Sequence, residues 1–245
     1  MLALTWLGHA TVLIEMDGQR ILTDPVLRRW IGPLVRVIPV PDAVGTVDCV
    51  LVSHLHADHA DVRSLRAVHC RGPFVAPHPG KTWLSSRGIP GAADLRAGED
   101  LGVGSLRVIA TPATHDRRRW WFGPAADPIG YLIRGSSAVY FAGDTDLFLA
   151  MAELRGQVDV ALLPIWGWGS RLPAGHLNPE SAAAATALIA PAVAIPIHWG
   201  TYAMPRASRR AEDRARPARE FADYARRYAP AVEVRTLAPG ETVAL

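Results

Sequence analysis

Nine consecutive residues, 53–61 (SHLHADHAD), hold three of the chain's nine histidines and two aspartates. Such clusters either relay protons or bind metal. The spacing favours metal. His54 and His56 are two apart, so in an extended loop both rings can point the same way. Asp58 and His59 come next, at the start of a helix-like stretch, and can point elsewhere. Two ligand pairs suit two metals side by side. Each pair needs a further histidine, and His115 and His198 are available. Asp144 has two carboxylate oxygens and could bridge cations about 3.5–4 Å apart. Imidazole with some carboxylate favours zinc, and manganese, iron or cobalt fit similar sites.

The elements that must position these residues are strands. Residues 2–7, 11–15 and 20–23 are short apolar or β-branched runs, with Asp17-Gly18 as the hairpin turn between the last two. Residues 47–53 (VDCVLVS) form a continuous apolar run, as expected of a strand buried on both faces. The histidine loop follows directly, then a short helix over 61–68. His115 follows LRVIATPAT, Asp144 follows VYFAG, and His198 follows VAIPI. Side chains on strand-end loops can converge from distant sequence on one point. Further helices are expected at 146–155, 180–190 and 218–228. The second has Asn178 as N-cap and Pro179 at the first helical position. Recurring strand grammar predicts two similar β-rich halves meeting near residue 125, in one mixed α/β (α+β) domain spanning 1–245.

The composition bounds the function. Hydrophobic residues are 49% and charged residues 20% of 245 residues, as in a soluble globular protein. No apolar run nears the roughly 20 residues of a spanning helix, and the N-terminus reads as a strand rather than a signal peptide. Two cysteines outside any paired motif suit the cytoplasm. The net charge is only +3, and the basic stretch 206–227 is interleaved with acids, as on a solvated face. Nucleic-acid binding is not expected. Oligomeric state is not readable.

The segments SHLHADHAD, ATPATHD, FAGDTD and IPIHWG together resemble the motif set of the metallo-β-lactamase superfamily. The resemblance covers about residues 4–204. It implies a four-layered αβ/βα sandwich. It also implies that His54, His56 and His115 hold one metal, that Asp58, His59 and His198 hold the other, and that Asp144 lies between. Longer segments, among them LPIWGWGSRLPAGHLNPESA, resemble the branch containing N-acyl-phosphatidylethanolamine-hydrolysing phospholipase D and L-ascorbate phosphate lactonase. Segments 117–128 and 204–217 diverge from the phospholipase.

The resulting expectation is a dinuclear hydrolase that generates hydroxide near neutral pH, with Asp58, Asp144 and His176 as catalytic residues. His176 stands two residues before a helix N-cap, on a loop that the family brings over the metals. Asp24, ending its strand, is expected to accept an N–H from a ligand histidine. Arg117, Arg118 and Arg119 follow His115 and could hold an anionic group. Trp166 stands among tryptophans that could wall an apolar pocket. An anionic phosphodiester, small or lipid-like, is therefore the first substrate class, and a lactone, carboxylic ester or thioester the second. A redox diiron protein of this fold commonly has glutamate where His56 stands, and a non-catalytic binding module often loses ligands that are all present here. His9, in GHAT, resembles a family position near the metals but reads first as a hydrogen-bonded structural histidine, and His69 and His78 read as structural or surface residues.

Overall fold

The computed structural model describes residues 1–41, 44–118, 124–168, 172–205 and 214–245. Its first half runs β1 (Leu2–Gly8), β2 (Thr11–Met16), β3 (Gln19–Thr23), the short β4 (Trp30–Ile31) and β5 (Leu34–Arg36), then β6 (Cys49–Leu51), α1 (Val62–Ala67), β7 (Phe74–Pro77), α2 (Gly80–Ser86) and β8 (Ala92–Leu95). Next come β9 (Asp100–Val103), β10 (Leu106–Pro112), β11 (Ile129–Arg134), β12 (Ala138–Phe141), β13 (Val160–Pro164), α3 (Pro179–Ile189) and β14 (Val193–Ile197). The chain ends with β15 (Tyr202–Ala203), α4 (Arg216–Tyr228), β16 (Glu233–Val234) and β17 (Thr242–Ala244).

Two seven-stranded sheets form, in the orders β17-β1-β2-β3-β6-β7-β8 and β16-β14-β13-β12-β11-β10-β9. A third, small sheet joins β15, β5 and β4. Their alternating patterns explain the packing. Leu2, Leu4 and Trp6 recur every second residue on β1 and share one core with Val108, Tyr131, Ile133 and Leu162 of the second sheet. On β6, Cys49 and Leu51 point into that core, while Val50 faces Phe74, Leu65 and Leu84 beneath α1 and α2. The expected two-faced burial of this strand follows. Helices α3 and α4 cover the second sheet through Ala182, Ala185, Phe221 and Ala225. The layers are thus helices, sheet, sheet, helices.

Two expectations are corrected. The halves divide between β8 and β9, near residues 95–100, because β10 and β11 pair antiparallel across the segment containing residue 125. The C-terminal β17 then returns to pair with β1. The helix expected over 146–155 is only a 3-10 turn, Leu149–Leu154. Asp146 is tied back by its N–H to the Thr114 carbonyl, Phe148 is extended, and Gly156 takes positive φ. Helix α3 starts as expected: Asn178 and Ser181 form a reciprocal capping box, and Pro179 opens the helix. The Asp17-Gly18 turn has φ of 52° and 79°, the sign that a type I′ hairpin requires.

The site-bearing ends lie together because of strand direction. β3 and β6 run parallel, as do β12, β13 and β14. β10 is antiparallel to β11, which is antiparallel to β12, so β10 and β12 end on the same side. The sheets are joined there by Ile129 N–H to Ser53 O at 3.0 Å and Tyr131 O–H to Val52 O at 2.8 Å.

Gly143, with φ of 62°, allows the end of β12 to lie against this junction. A Cβ there would sit 2.5 Å from Ser53 Cβ. Gly143→Ala therefore adds left-handed strain and overpacking, typically worth about 1–3 kcal/mol. Thermal unfolding should shift down by several degrees, and an unchanged melting curve would contradict this packing.

Candidate metal centre

The geometry begins at Asp24, which ends β3 with φ of 33°. Its carboxylate accepts three hydrogen bonds: Ser53 N–H at 2.7 Å, Ser53 O–H at 2.6 Å and His59 Nδ1–H at 2.6 Å. Asp24 and His59 are fully buried. This aspartate thus fixes the start of the histidine loop and the ring of its last histidine. Asp61 caps α1 through Ser64 N–H at 2.9 Å and holds the other end of the loop.

Five imidazoles then have their outer nitrogens committed. Carbonyls and carboxylates only accept, so a ring nitrogen facing one must carry the hydrogen. His59 Nδ1 donates to Asp24. His198 Nδ1 donates to the Trp166 carbonyl at 2.7 Å. His115 Nδ1 donates to the Gly175 carbonyl at 2.6 Å, and His56 Nε2 to the Arg118 carbonyl at 2.8 Å. Ser53 Oγ gives its hydrogen to Asp24, so at 3.0 Å it accepts from His54 Nδ1. In the neutral ring, each remaining nitrogen is a lone pair aimed inward; His59, among three carboxylates, can hold a proton there as well.

Those lone pairs form two groups. His56 Nδ1 lies 3.1 Å from His115 Nε2, and the His54 ring stands 4.5 Å and 4.7 Å from theirs, centre to centre. His59 Nε2 lies 3.1 Å from His198 Nε2, and each lies within 3.3 Å of an Asp144 oxygen. Asp58 adds a carboxylate 3.9 Å from His59 Nε2. His54 Nε2 and Asp144 Oδ1 are buried with no hydrogen-bond partner among the described residues. An acceptor left so costs about 1–3 kcal/mol, and adjacent acceptors also repel. A divalent cation at each convergence would satisfy both groups, so the donor set fits metal. Among the described residues, four groups of side chains lie close enough to share an ion: His54-His56-His115, His9-Asp58-His59-His198, Asp24-His54-His59 and His115-Asp144-His176.

The electrostatics agree with this donor set. Burial pushes His54 well below the usual histidine range, and lowers His56 and His115 as well. Burial also takes His198 down to about 3, against the pull of Asp144. These rings favour the neutral, ligating form. Burial opposes the charges of Asp58 and Asp144, but His59 and His198 around them hold both well below the carboxylate range. His59, facing Asp144, Asp24 and Asp58, is raised well above the histidine range despite its burial.

A cavity of about 180 Å³ opens on the cluster. Its lining joins His56, Asp58, Asp144, His176 and His198 with Gly167, Trp168, Leu172 and Pro173. His176 Nε2 is 3.3 Å from Asp144 Oδ2, and its Nδ1 faces the carbonyls of Pro173 and Ala174. Burial works against its charge, but Asp144 raises its pKa. Trp166 does not line the cavity. It packs partly buried on the core and offers its carbonyl to His198. The exposed Arg117 pairs with Asp127 at 3.2 Å, and Arg118 contributes its carbonyl to His56. Arg119 and the aromatic residues 120–122 lie outside the described residues.

Ser53 was not singled out by sequence as part of this centre, and His9 and Trp168 were given no specific role in it. Ser53 carries only the signal of ending an apolar strand. Trp168 belongs to a tryptophan-rich stretch whose members look alike in sequence. His9 contacts Asp58, 49 residues away, at 3.2 Å.

The Asp24 bonds generate a prediction. Asp24→Asn puts an amide donor against Ser53 or His59 and disturbs the rings of His54 and His59. Zinc affinity, measured by competition with a chromophoric chelator, should fall about 10–100-fold. Unchanged affinity would remove Asp24 from its orienting role.

Comparisons with known proteins agree with this geometry. The β-lactamase superfamily domain matches residues 19–199. A UPF0173 metal-dependent hydrolase of Methanopyrus kandleri is 35% identical over 81% of this chain and 84% of its own. The N-acyl-phosphatidylethanolamine-hydrolyzing phospholipase D 1 of Caenorhabditis elegans is 29% identical over 82% of this chain. This chain spans 64% of that phospholipase and 59% of an uncharacterized Mycobacterium tuberculosis relative. Igni18, a metallo hydrolase of Ignicoccus hospitalis, superposes with a TM-score of 0.73 at 28% identity, covering 99% of this chain and 97% of its own. Two facing sheets with strand-end ligands and a domain match over most of the length lead to one conclusion: the chain belongs to the metallo-β-lactamase superfamily.

Proposed function

We propose that this metal-dependent hydrolase works with two divalent ions, most suitably zinc, and cleaves a small carboxylic ester, thioester or lactone. His54, His56 and His115 would hold one ion, and Asp58, His59 and His198 the other, with Asp144 shared. The single observation that supports this reading is the convergence of inward-facing lone pairs whose outer N–H groups are already committed. When bound, such a metal pair supplies Lewis acidity and lowers the pKa of water toward neutrality.

The chain's own residues supply the rest. The Asp24 and Gly175 acceptors hold His59 and His115 in the tautomers that ligate. Trp168, Leu172 and Pro173 offer an apolar wall, which suits an acyl or aryl group and excludes water beside the cluster. His176 faces both the cavity and Asp144, so it is placed to donate a proton or hydrogen bond to a departing or developing oxyanion.

The choice of ester over phosphodiester rests on the lining. Trp168, Leu172 and Pro173 give an acyl or aryl group an apolar surface beside the histidines. The phosphodiester is the second reading, favoured by similarity to a phospholipase D. The zinc- and manganese-loaded protein should turn over aryl esters and lactones faster than a nitrophenyl phosphodiester. The reverse order would move the assignment to phosphodiesters, and turnover that survives chelation would overturn the metal mechanism.

A second prediction concerns His176. His176→Ala should keep both metals and lower kcat and kcat/KM together by about 10²–10³-fold. If it donates the proton, the defect should shrink for a nitrophenolate leaving group compared with an alkoxide on the same acyl half. Steady-state kinetics on that pair measures it, and unchanged rates on both would remove His176 from the chemistry.

A further inference from the structure

His9 is buried and sits in the left-handed region, with φ of 53°. Of the five described non-glycine residues with positive φ, His9, Asp24 and His198 all meet at the centre. For a residue without side-chain work, glycine or asparagine would relieve that backbone at no loss. The conformation is held from three directions. The His9 N–H donates to Thr201 Oγ1 at 2.7 Å, and its carbonyl accepts Trp6 Nε1–H at 2.9 Å and His198 N–H at 2.8 Å. On the far side, the Arg36 guanidinium donates to the Leu7 carbonyl and fills the space beside Gly8.

So held, the His9 ring does two things. It lies against the His198 ring, with centres 3.9 Å apart. It also brings Nε2 to 3.2 Å from Asp58 Oδ2. A carboxylate only accepts, so Nε2 carries the hydrogen and is a donor rather than a ligand. Trp168 Nε1–H donates to the same oxygen at 3.2 Å from the cavity side. Asp58 lies within the turn 57–59, and among the described residues these two donors face its carboxylate and set its direction. One of them is buried and rigid, and the other is exposed.

We propose that His9 is a positioning residue for the Asp58-His59-His198 trio: by one N–H and one ring face it aligns Asp58 with His198, and so sets the affinity of one metal of the pair. This rests on the two-metal reading. His9 acts through Asp58 and is not itself placed against substrate.

The test is a zinc(II) titration of the full chain against a chromophoric chelator, with elemental analysis of the saturated protein. It compares the parent with His9→Phe, which keeps a ring but no donor, and His9→Gln, which keeps an N–H at similar reach. Both variants carry the same backbone strain. The parent should bind two zinc ions. His9→Phe should keep one step as in the parent and weaken the other about 10–100-fold, and His9→Gln should restore it. Two unaltered steps in His9→Phe, or equal losses at both steps, would overturn the proposal. So would a loss in His9→Gln matching that in His9→Phe. If His9→Phe does not fold, His9→Gln decides alone, because it must bind both ions as the parent does. A parent that binds one zinc or none would instead sink the two-metal reading.

Discussion

Atoms that repel one another are held in contact at the centre of this molecule. His56 and His115 present ring nitrogens 3.1 Å apart, each with its hydrogen turned outward, and His54 Nε2 is buried near them without a hydrogen-bond partner among the described residues. Left to themselves these side chains would turn away, since each imidazole could make a hydrogen bond elsewhere. They cannot, because every outer N–H is committed to a protein acceptor, and those acceptors are backbone carbonyls or the fully buried Asp24 and its partner Ser53. Repulsion of this kind is tolerable only if folding elsewhere outweighs it and a cation can answer it.

The two facing sheets meet that first condition. The clustered side chains follow strands whose bodies are buried, such as Val50 and Leu51 before His54, Phe141 before Asp144 and Ile197 before His198. Turning one ligand outward would require moving a strand that packs on both faces, which close-packed interiors resist. The same logic accounts for the local strain at His9, Asp24 and His198. Left-handed conformations are uncommon for such residues, and here each is locked by hydrogen bonds to a neighbouring strand end.

Much of this was legible in the sequence because strand-end polar residues break apolar runs. His54, His56, Asp58, His59, His115, Asp144 and His198 are all visible that way, and the structure brings them together. The helix cap at Asn178 and the turn at Asp17-Gly18 are local chemistry, and such signals survive without tertiary context. What was not legible depends on contacts between distant segments. The role of His9 needs the approach of a loop 49 residues away. Of the arginines after His115, Arg117 is exposed and pairs with Asp127, a contact that sequence does not announce. The division of the halves was misplaced because strand grammar reports where strands lie and not which strands pair. The 3-10 turn replaced an expected helix because Asp146 is tied to Thr114, again across the fold.

The central claim is that specific ring nitrogens converge on two cations. Diffraction from crystals grown with saturating zinc, with data collected at the zinc absorption edge, locates the metal without assumptions about ligands. Two anomalous peaks are predicted, one in contact with His54 Nε2, His56 Nδ1 and His115 Nε2, and the other with His59 Nε2, His198 Nε2 and Asp58, with Asp144 touching both. A single peak, or ligation of His56 through Nε2 in place of Nδ1, would contradict the account.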